Sequence, residues 1–294
     1  MNQMNKTDVS IIIVNFNTKT LLDHCLESIF LQTKNVNFEV IIVDNASIDG
    51  SEELIRQKYT DVRWINSGAN LGFGRGNNIG AEVACGKYLF LLNSDTILLN
   101  DAVSILYHYM ESNMQKNKLG ALGSYLLDRK GNKNVSYLDF PTPKSEFGYL
   151  WSKLCPKQVD DTQSFIDIDS ICGADFFISR ELFHKIGGFD PQFFMYYEET
   201  DLQYRIAKMG LKRRIINGPR IIHLEGGSFK SKGLSLRRFQ MSQTSYNYYL
   251  RKHYRGLKYW LFKASLSIVR TTLFITTDWS FKEKCKAYWL VLKR

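Results

Sequence analysis

Two acidic clusters carry residue types and spacings that suit chemistry. Asn93-Ser94-Asp95-Thr96 follows Lys87-Tyr88-Leu89-Phe90-Leu91-Leu92, a run with the apolar character of a buried strand. Carboxylate and amide oxygens at a strand exit are ligands for a hard divalent cation. Glu198-Glu199-Thr200-Asp201 opens a helix-like stretch that ends near Gly210. Acids at a helix start are favoured ionised by the free amides and the dipole, so one acid there is ordinary capping. Three exceed what capping needs. Crowded like charges with partial burial raise a carboxyl pKa towards working pH, the condition for a proton acceptor. The first cluster therefore reads as metal-holding and the second as proton-accepting.

The elements that must position these clusters are legible in the apolar pattern. Val9 to Val14 and Phe38 to Val43 are short, β-branched, continuously apolar runs, as in strands covered on both faces. Between them Leu21, Leu22, Cys25, Ile29 and Phe30 recur at helical spacing. The alternation continues through Leu54 to Tyr59, Val62 to Ile65, Ala81 to Ala84 and Tyr88 to Leu92. This predicts an α/β half with a parallel sheet, in which ligands bind beyond the carboxyl ends of the strands. Asn15-Phe16-Asn17, Asp44-Asn45-Ala46-Ser47 and Asn93-Ser94-Asp95 stand at three such exits, facing one crevice.

From Tyr125 to Asp169 periodicity is lost among turn residues and Pro141, Pro143 and Pro156, which predicts a loop-rich insertion on the acceptor side. Beyond it the pattern predicts an apolar run over Ser170 to Ile178 and a helix over Arg180 to Ile186. A Gly187-Gly188-Phe189-Asp190 turn follows, then a helix over Thr200 to Met209 and strands over Arg213 to Ile216 and Arg220 to Leu224. With 294 residues, 44% hydrophobic and 23% charged, the chain is long enough for a full core plus an extension. Five scattered cysteines without Cys-x-x-Cys spacing indicate neither a disulfide framework nor a zinc site, and suggest a reducing, cytoplasmic compartment. The polar start, Met1 to Asp8, does not read as a secretory signal.

In order and spacing these pieces resemble family 2 of the glycosyltransferases over residues 8 to 225. The matching segments are Val9 to Asn17, Ile42-Val43-Asp44-Asn45-Ala46-Ser47-Ile48-Asp49-Gly50, Asn70-Leu71-Gly72-Phe73-Gly74, Asn93-Ser94-Asp95, Gly187-Gly188-Phe189-Asp190 and Glu198-Glu199-Thr200-Asp201-Leu202. The resemblance is nearest to the rhamnosyltransferase-like and galactofuranosyltransferase-like branch. It implies a GT-A fold, a Rossmann-like, mostly parallel sheet flanked by helices, over residues 1–226, followed by a helical extension over 227–294. It implies inverting, metal-dependent transfer from a nucleotide-diphosphate sugar, dTDP-rhamnose or a UDP-sugar. The acceptor would be a saccharide or a lipid-linked glycan in surface polysaccharide assembly.

The same resemblance distributes roles. Asn15, Asn17, Asp44, Asn70, Gly72, Arg75 and Asn93 fall on the nucleotide side. Asp95 matches the last acid of the family's Asp-x-Asp motif, with Asn93 in place of the first, and His223 matches a metal-binding histidine, so Mn²⁺ or Mg²⁺ is the expected cofactor. Glu199 matches the general base, with Glu198 beside it, while Gly173 and Asp175 line the acceptor side. Asp201 is assigned to structure, orienting Arg205 four residues on. Each residue also has a plain reading: Asp44 as an Asx-turn, Asp95 as a helix N-cap that Asp101 serves equally well, His223 as a satisfied histidine, Asp175 as a solvated strand residue.

The basic charge belongs to the tail. Residues 1 to 225 carry net −3, whereas residues 226 to 294 hold 15 Lys and Arg against two acids, net +13. From Tyr246 to Trp289 aromatic rings and cations interleave, and Lys258, Lys263 and Arg270 interrupt the longest apolar stretch. That is short of the roughly 20 apolar residues a spanning helix needs. The pattern predicts interfacial helices on an anionic membrane surface, placing the enzyme on the inner face of the cell membrane. A packing arm or homodimer contact is the alternative, and nucleic-acid binding is not favoured. A nucleotidyltransferase would carry a Gly-rich basic loop where this chain has Asn15-Phe16-Asn17-Thr18. A non-catalytic nucleotide- or glycan-binding module is the other rival, which turnover excludes.

Overall fold

The computed structural model describes residues 7–145, 163–224 and 235–293. Residues 146–162 of the expected insertion, Pro156 among them, and the 226/227 boundary lie outside the described residues. The elements in order are β1 (Val9–Asn15), α1 (Lys19–Gln32), β2 (Phe38–Asp44), α2 (Ser51–Lys58), β3 (Val62–Asn66), α3 (Phe73–Val83), β4 (Tyr88–Asn93), β5 (Thr96–Leu98) and α4 (Ala102–Asn113). There follow β6 (Leu119–Leu127), β7 (Tyr137–Leu138), β8 (Phe165–Ile168), β9 (Ser170–Ile171), β10 (Asp175–Ser179), α5 (Arg180–Lys185), α6 (Glu198–Lys208) and β11 (Lys212–His223). The chain closes with α7 (Leu236–His253), α8 (Gly256–Arg270), α9 (Leu273–Thr276) and α10 (Phe281–Leu292).

Among the described residues nine strands form one sheet, ordered β3-β2-β1-β4-β10-β6-β11-β5 with β8 also on β11. β1 runs parallel to both β2 and β4, so strand order reverses beside it, and the crevice for a ligand opens beyond its carboxyl end. The register sets Asn15 opposite Asp44 and Val14 opposite Asn93, which brings the three polar strand exits side by side. β10 enters antiparallel between β4 and β6, so its first residue, Asp175, pairs with Leu92 at the same edge.

The continuous apolar runs have a direct packing cause. Along β1, Ile11 and Ile13 face one core with Leu22, Leu26 and Phe90, while Ile12 faces a second with Ile41, Leu89 and Phe176. A strand buried on both faces cannot alternate with polar residues. α6 begins at Glu198, where the acidic cluster reads as a helix start, so both glutamates lie in its first turn, two residues ahead of the periodic stretch over Thr200 to Met209. One boundary differs from the sequence reading. The two strands expected over 213 to 224 are one long strand, β11, with an irregular register between Ile216 and Ile221.

The tail helices build a third core from Phe239, Tyr246, Tyr249, Leu250, Phe262, Leu266, Ala287 and Val291, and Phe193 of the preceding segment joins it. Burying each such large side chain is worth about 1.5–3 kcal/mol, against about 0.2–1 kcal/mol for an exposed ion pair. Apolar packing thus holds α7 in place. Ser245 Oγ donates to the Met195 carbonyl at 2.8 Å and Tyr254 Oη to that of Pro141 at 2.9 Å, pinning it further.

Candidate active site

At the exits of β1 and β2 the polar side chains bond to one another. Asn15 Nδ2 donates to Asp44 Oδ1 at 2.7 Å and to Ser47 Oγ at 3.0 Å, and the Ser47 amide donates to Asp44 Oδ2 at 2.9 Å. Thr18 Oγ1 lies 2.6 Å from Asn15 Oδ1 and 2.9 Å from Ser94 Oγ, tying this turn to the exit of β4. Asn17, exposed and at φ 53°, accepts from the Ile48 amide, and Ala46 sits at φ 63°. Asn45 Nδ2 donates to the Gly72 carbonyl at 3.0 Å, joining the turn to the loop before α3. There Asn70 Oδ1 accepts from the Gly72 amide at 3.1 Å. Gly72 itself has φ 84°, and a Cβ on it would fall 1.9 Å from the Phe194 carbonyl oxygen. Only glycine lets that loop lie against the chain just ahead of α6.

At the exit of β4, Asp95 lies between β4 and β5 and is buried, and His223 at the end of β11 points Nε2 to within 3.4 Å of its Oδ1. Asn93 Nδ2 lies 3.5 Å from the same imidazole nitrogen. The N-cap position of α4 is Asp101, so Asp95 is not the N-cap there. A carboxylate and an imidazole converging from different strands form a donor pair for one cation, and no group of three or more acidic, His or Cys ligands occurs among the described residues. Such a pair fits a metal that completes its shell with phosphate oxygens and water, as Mg²⁺ and Mn²⁺ sites do.

The first turn of α6 is built differently. Tyr196 and Tyr197 precede it with φ 70° and φ 66°, left-handed conformations that large side chains rarely adopt. Of five non-glycine residues with positive φ among the described residues, four are these tyrosines and Asn17 and Ala46, all around this crevice. Strain that clusters in this way marks functional sites. Glu198 is buried, and neither Glu198 Oε2 nor Glu199 Oε2 has a hydrogen-bond partner among the described residues. Burial raises both carboxyl pKa values above the ordinary range, with mutual repulsion adding at Glu198. Gly173 lies against this pair: a Cβ there would sit 3.7 Å from Glu199 Cγ. The next residue, Ala174, accepts from the Asn93 amide at 3.0 Å, so two consecutive residues run from the glutamates to Asn93, beside the Asp95–His223 pair.

A model of glycosyl transferase family 2 matches residues 10–187. The chain belongs to that family. The hexosyltransferase Agl10 of low-salt glycan biosynthesis in Haloferax volcanii is 29% identical over 209 residues, 68% of this chain and 62% of that protein, so the chain spans less than two thirds of this relative. The N-acetylglucosaminyl-diphospho-decaprenol L-rhamnosyltransferase of Mycobacterium tuberculosis is 25% identical over 238 residues, 74% of this chain and 76% of that one. In fold, GalNAc-T7 crystallised with UDP, GalNAc and Mn²⁺ superposes at a TM-score of 0.63 with 17% identity, over 97% of this chain and 55% of that chain. The fold is GT-A.

Two side chains given ligand roles by the resemblance have partners within the protein. Arg75, expected on the nucleotide, is exposed and donates from Nε to the Pro191 carbonyl at 2.6 Å, fastening α3 to the loop that leads to α6. Asp175, expected to offer a carboxylate to the acceptor, is fully buried, so it is neither solvated nor on an open wall. Its Oδ2 accepts from the Ser124 amide and hydroxyl, both at 2.6 Å, and burial pushes the carboxyl up to about 7 against the pull of Ser124 and the His223 imidazole. The strand β10 that carries it lies inside the sheet, between β4 and β6.

The sequence reading missed Thr18 and Ser124, single hydroxyls with no distinguishing pattern, the first just past the exit of β1 and the second within β6. It also missed Lys252 and His253, whose distance in sequence hid their place behind α6. His253 Nε2 and Lys252 Nζ each lie 2.7 Å from Asp201 Oδ1, on a carboxylate that also takes Arg205 Nε at 2.9 Å. These partners hold the Asp201 pKa below the usual carboxylate value despite its burial. A cavity of about 650 Å³ lined by Lys87, Tyr88 and Glu111 lies at the opposite, amino end of β4, where those side chains satisfy one another.

Proposed function

We propose that this family 2 enzyme transfers a sugar, rhamnose in the first instance, from a nucleotide-diphosphate donor to a saccharide or lipid-linked acceptor in glycan assembly, with inversion. The observation that carries the reading is the pair of first-turn glutamates, whose Oε2 atoms have no hydrogen-bond partner among the described residues, joined through Gly173 and Ala174 to Asn93 beside the Asp95–His223 pair. A proton acceptor thereby stands beside a cation site at the mouth of a nucleotide crevice. The names of the mycobacterial and haloarchaeal relatives support a hexosyl, and specifically rhamnosyl, donor.

In this reading Asn15, Asp44, Ser47 and Asn45 frame the nucleoside, and Asn17 and Asn70 border it. Asp95 and His223 would hold Mn²⁺ or Mg²⁺, which supplies charge neutralisation for the leaving diphosphate. Glu199, the more open of the two acids, accepts the proton of the acceptor hydroxyl as its oxygen bonds to the anomeric carbon and the carbon–diphosphate bond breaks on the opposite side. One displacement inverts that carbon. Glu198, buried beside it, raises the proton affinity of the pair, so that the base is matched to a hydroxyl better than an exposed carboxylate would be.

A screen of dTDP-rhamnose and UDP-sugars by nucleoside-diphosphate release, with and without Mn²⁺, tests this reading. Release that needs both acceptor and metal is expected. No release with any donor at saturating metal and acceptor would return the chain to a nucleotide- or glycan-binding role.

A further inference from the structure

The tail helices have apolar residues on two sides, and the third core uses only one. In α8 the side made by Tyr259, Phe262, Leu266 and Val269 is buried, yet Leu257 is 75% exposed, Trp260 50% and Ile268 61%. In α10 Ala287 and Val291 are buried, while Phe281 is 75% and Trp289 68% exposed. The exposed residues follow helical spacing and so make an outward apolar stripe along each helix. The two helices are neighbours: Tyr288 Oη donates to the Ser267 carbonyl at 3.2 Å.

The cations divide between inside and outside. Lys263 is buried and donates to the carbonyls of Val291 and Lys293 at the end of α10, and Lys284 Nζ donates to the Phe274 carbonyl at 3.1 Å. Lys252 and His253 face Asp201. Arg255, Lys258, Lys282, Lys286 and Lys293 remain exposed beside the apolar stripes. Of the tail's two acids, Asp278 is exposed and Glu283 closes a capping box with Ser280. No helix among the described residues is long and apolar enough to cross a membrane.

We propose that the outer faces of α8 and α10 dock on the surface of an anionic lipid bilayer, with the rings at headgroup depth and the lysines on lipid anions. Exposed apolar stripes of this size call for a cover. Charge selects among covers. A second copy of the chain would bring two strongly cationic faces together, whereas an anionic bilayer accepts both the rings and the charge. The docking has a geometric consequence for the proposed transfer: α7 joins this module to Asp201, so the first turn of α6 is carried at a fixed relation to the lipid surface.

Co-sedimentation of the full chain with vesicles of phosphatidylcholine alone, or mixed with phosphatidylglycerol, tests the proposal. Binding is expected only to the anionic vesicles and should weaken as salt rises. Paired Lys282→Glu and Lys286→Glu should lower partitioning by about twenty-fivefold or more, since each cation near an anionic surface contributes roughly fivefold. Paired Trp260→Ser and Trp289→Ser should lower it on the order of tenfold with charge unchanged. These positions are exposed, so circular dichroism melts of both variants should match the parent. Equal binding to neutral vesicles, indifference to both pairs, or a dimer in sedimentation velocity that the tryptophan pair disperses would each overturn lipid docking. Nucleoside-diphosphate release with a water-soluble acceptor should be unchanged by either pair. If no form shows release while vesicle binding follows this order, docking stands and the transferase reading alone fails.

Discussion

The exits of β1 and β2 and the first turn of α6 face one crevice but are built on opposite principles. At the strand ends Asn15, Asp44, Ser47 and Thr18 satisfy one another, so their positions are fixed before any ligand arrives. At α6 two carboxylates each keep an oxygen without a hydrogen-bond partner among the described residues, reached through two left-handed tyrosines and held from behind by Asp201 with Lys252 and His253. A binding surface profits from such a network because less order is lost on binding. The proton acceptor proposed for α6 must instead keep an electron pair available, and an unsatisfied buried carboxylate costs stability that neighbouring structure has to offset. The tail supplies that support.

Substitutions that break each side separately sharpen the contrast. Asp95→Ala should abolish metal-stimulated turnover while leaving the fold intact; a purified variant of near-normal rate at saturating Mn²⁺ would remove Asp95 from the site. Next in size, Glu199→Gln should lose kcat by roughly a hundredfold or more with donor affinity retained, the usual scale for a positioned acid or base. If Glu198→Gln is the crippled variant instead, the base is the neighbouring residue. Gly72→Ala, which forces a Cβ onto the Phe194 carbonyl at positive φ, should cost about 3 kcal/mol in a urea titration. A loss no larger than that of an exposed Gly→Ala change would mean that this loop has room.

Smaller effects probe the support of α6. His253→Ala removes one of three partners from a fully buried carboxylate and should cost about 1–2 kcal/mol of stability, read by denaturant midpoint. The smallest effect concerns pH. Because the native pKa of Glu198 lies above its unfolded value, the folded state holds more protons in the window between them, and stability falls as pH rises through it. Glu198→Gln should therefore melt slightly higher than the parent at neutral pH and show no gain below the ordinary glutamate pKa. It should also shift the acid limb of kcat/KM to lower pH, as the remaining carboxylate loses a like-charged neighbour. A limb that stays in place would mean that the two acids titrate independently.

Periodicity revealed the strands of the α/β half because each is buried on both faces, and such burial leaves unbroken β-branched runs. The acidic cluster marked the start of α6 at Glu198, but no local pattern announces how deeply that charged side chain is buried. The Asn93-Ser94-Asp95 cluster stood out in the sequence as a candidate ligand because an acid at a strand exit has few packing uses, but its meeting with His223 depends on β11 pairing with β5. Arg75 and Asp175 were assigned by resemblance to ligand contacts; the fold sets Arg75 Nε on the Pro191 carbonyl and buries Asp175 on Ser124.

The tail shows the same division most plainly. Composition alone determined that residues 226 to 294 concentrate charge and rings, and helical spacing determined that these lie on helices. Which cations turn inward was decided only by the fold, because the carbonyl ends of α9 and α10 and the carboxylate of Asp201 are brought to Lys284, Lys263 and Lys252 by chain segments up to some fifty residues away. Sequence patterns record the average environment of a face. The partner of a single charge is a matter of long-range contact, and only the tertiary structure assigns it.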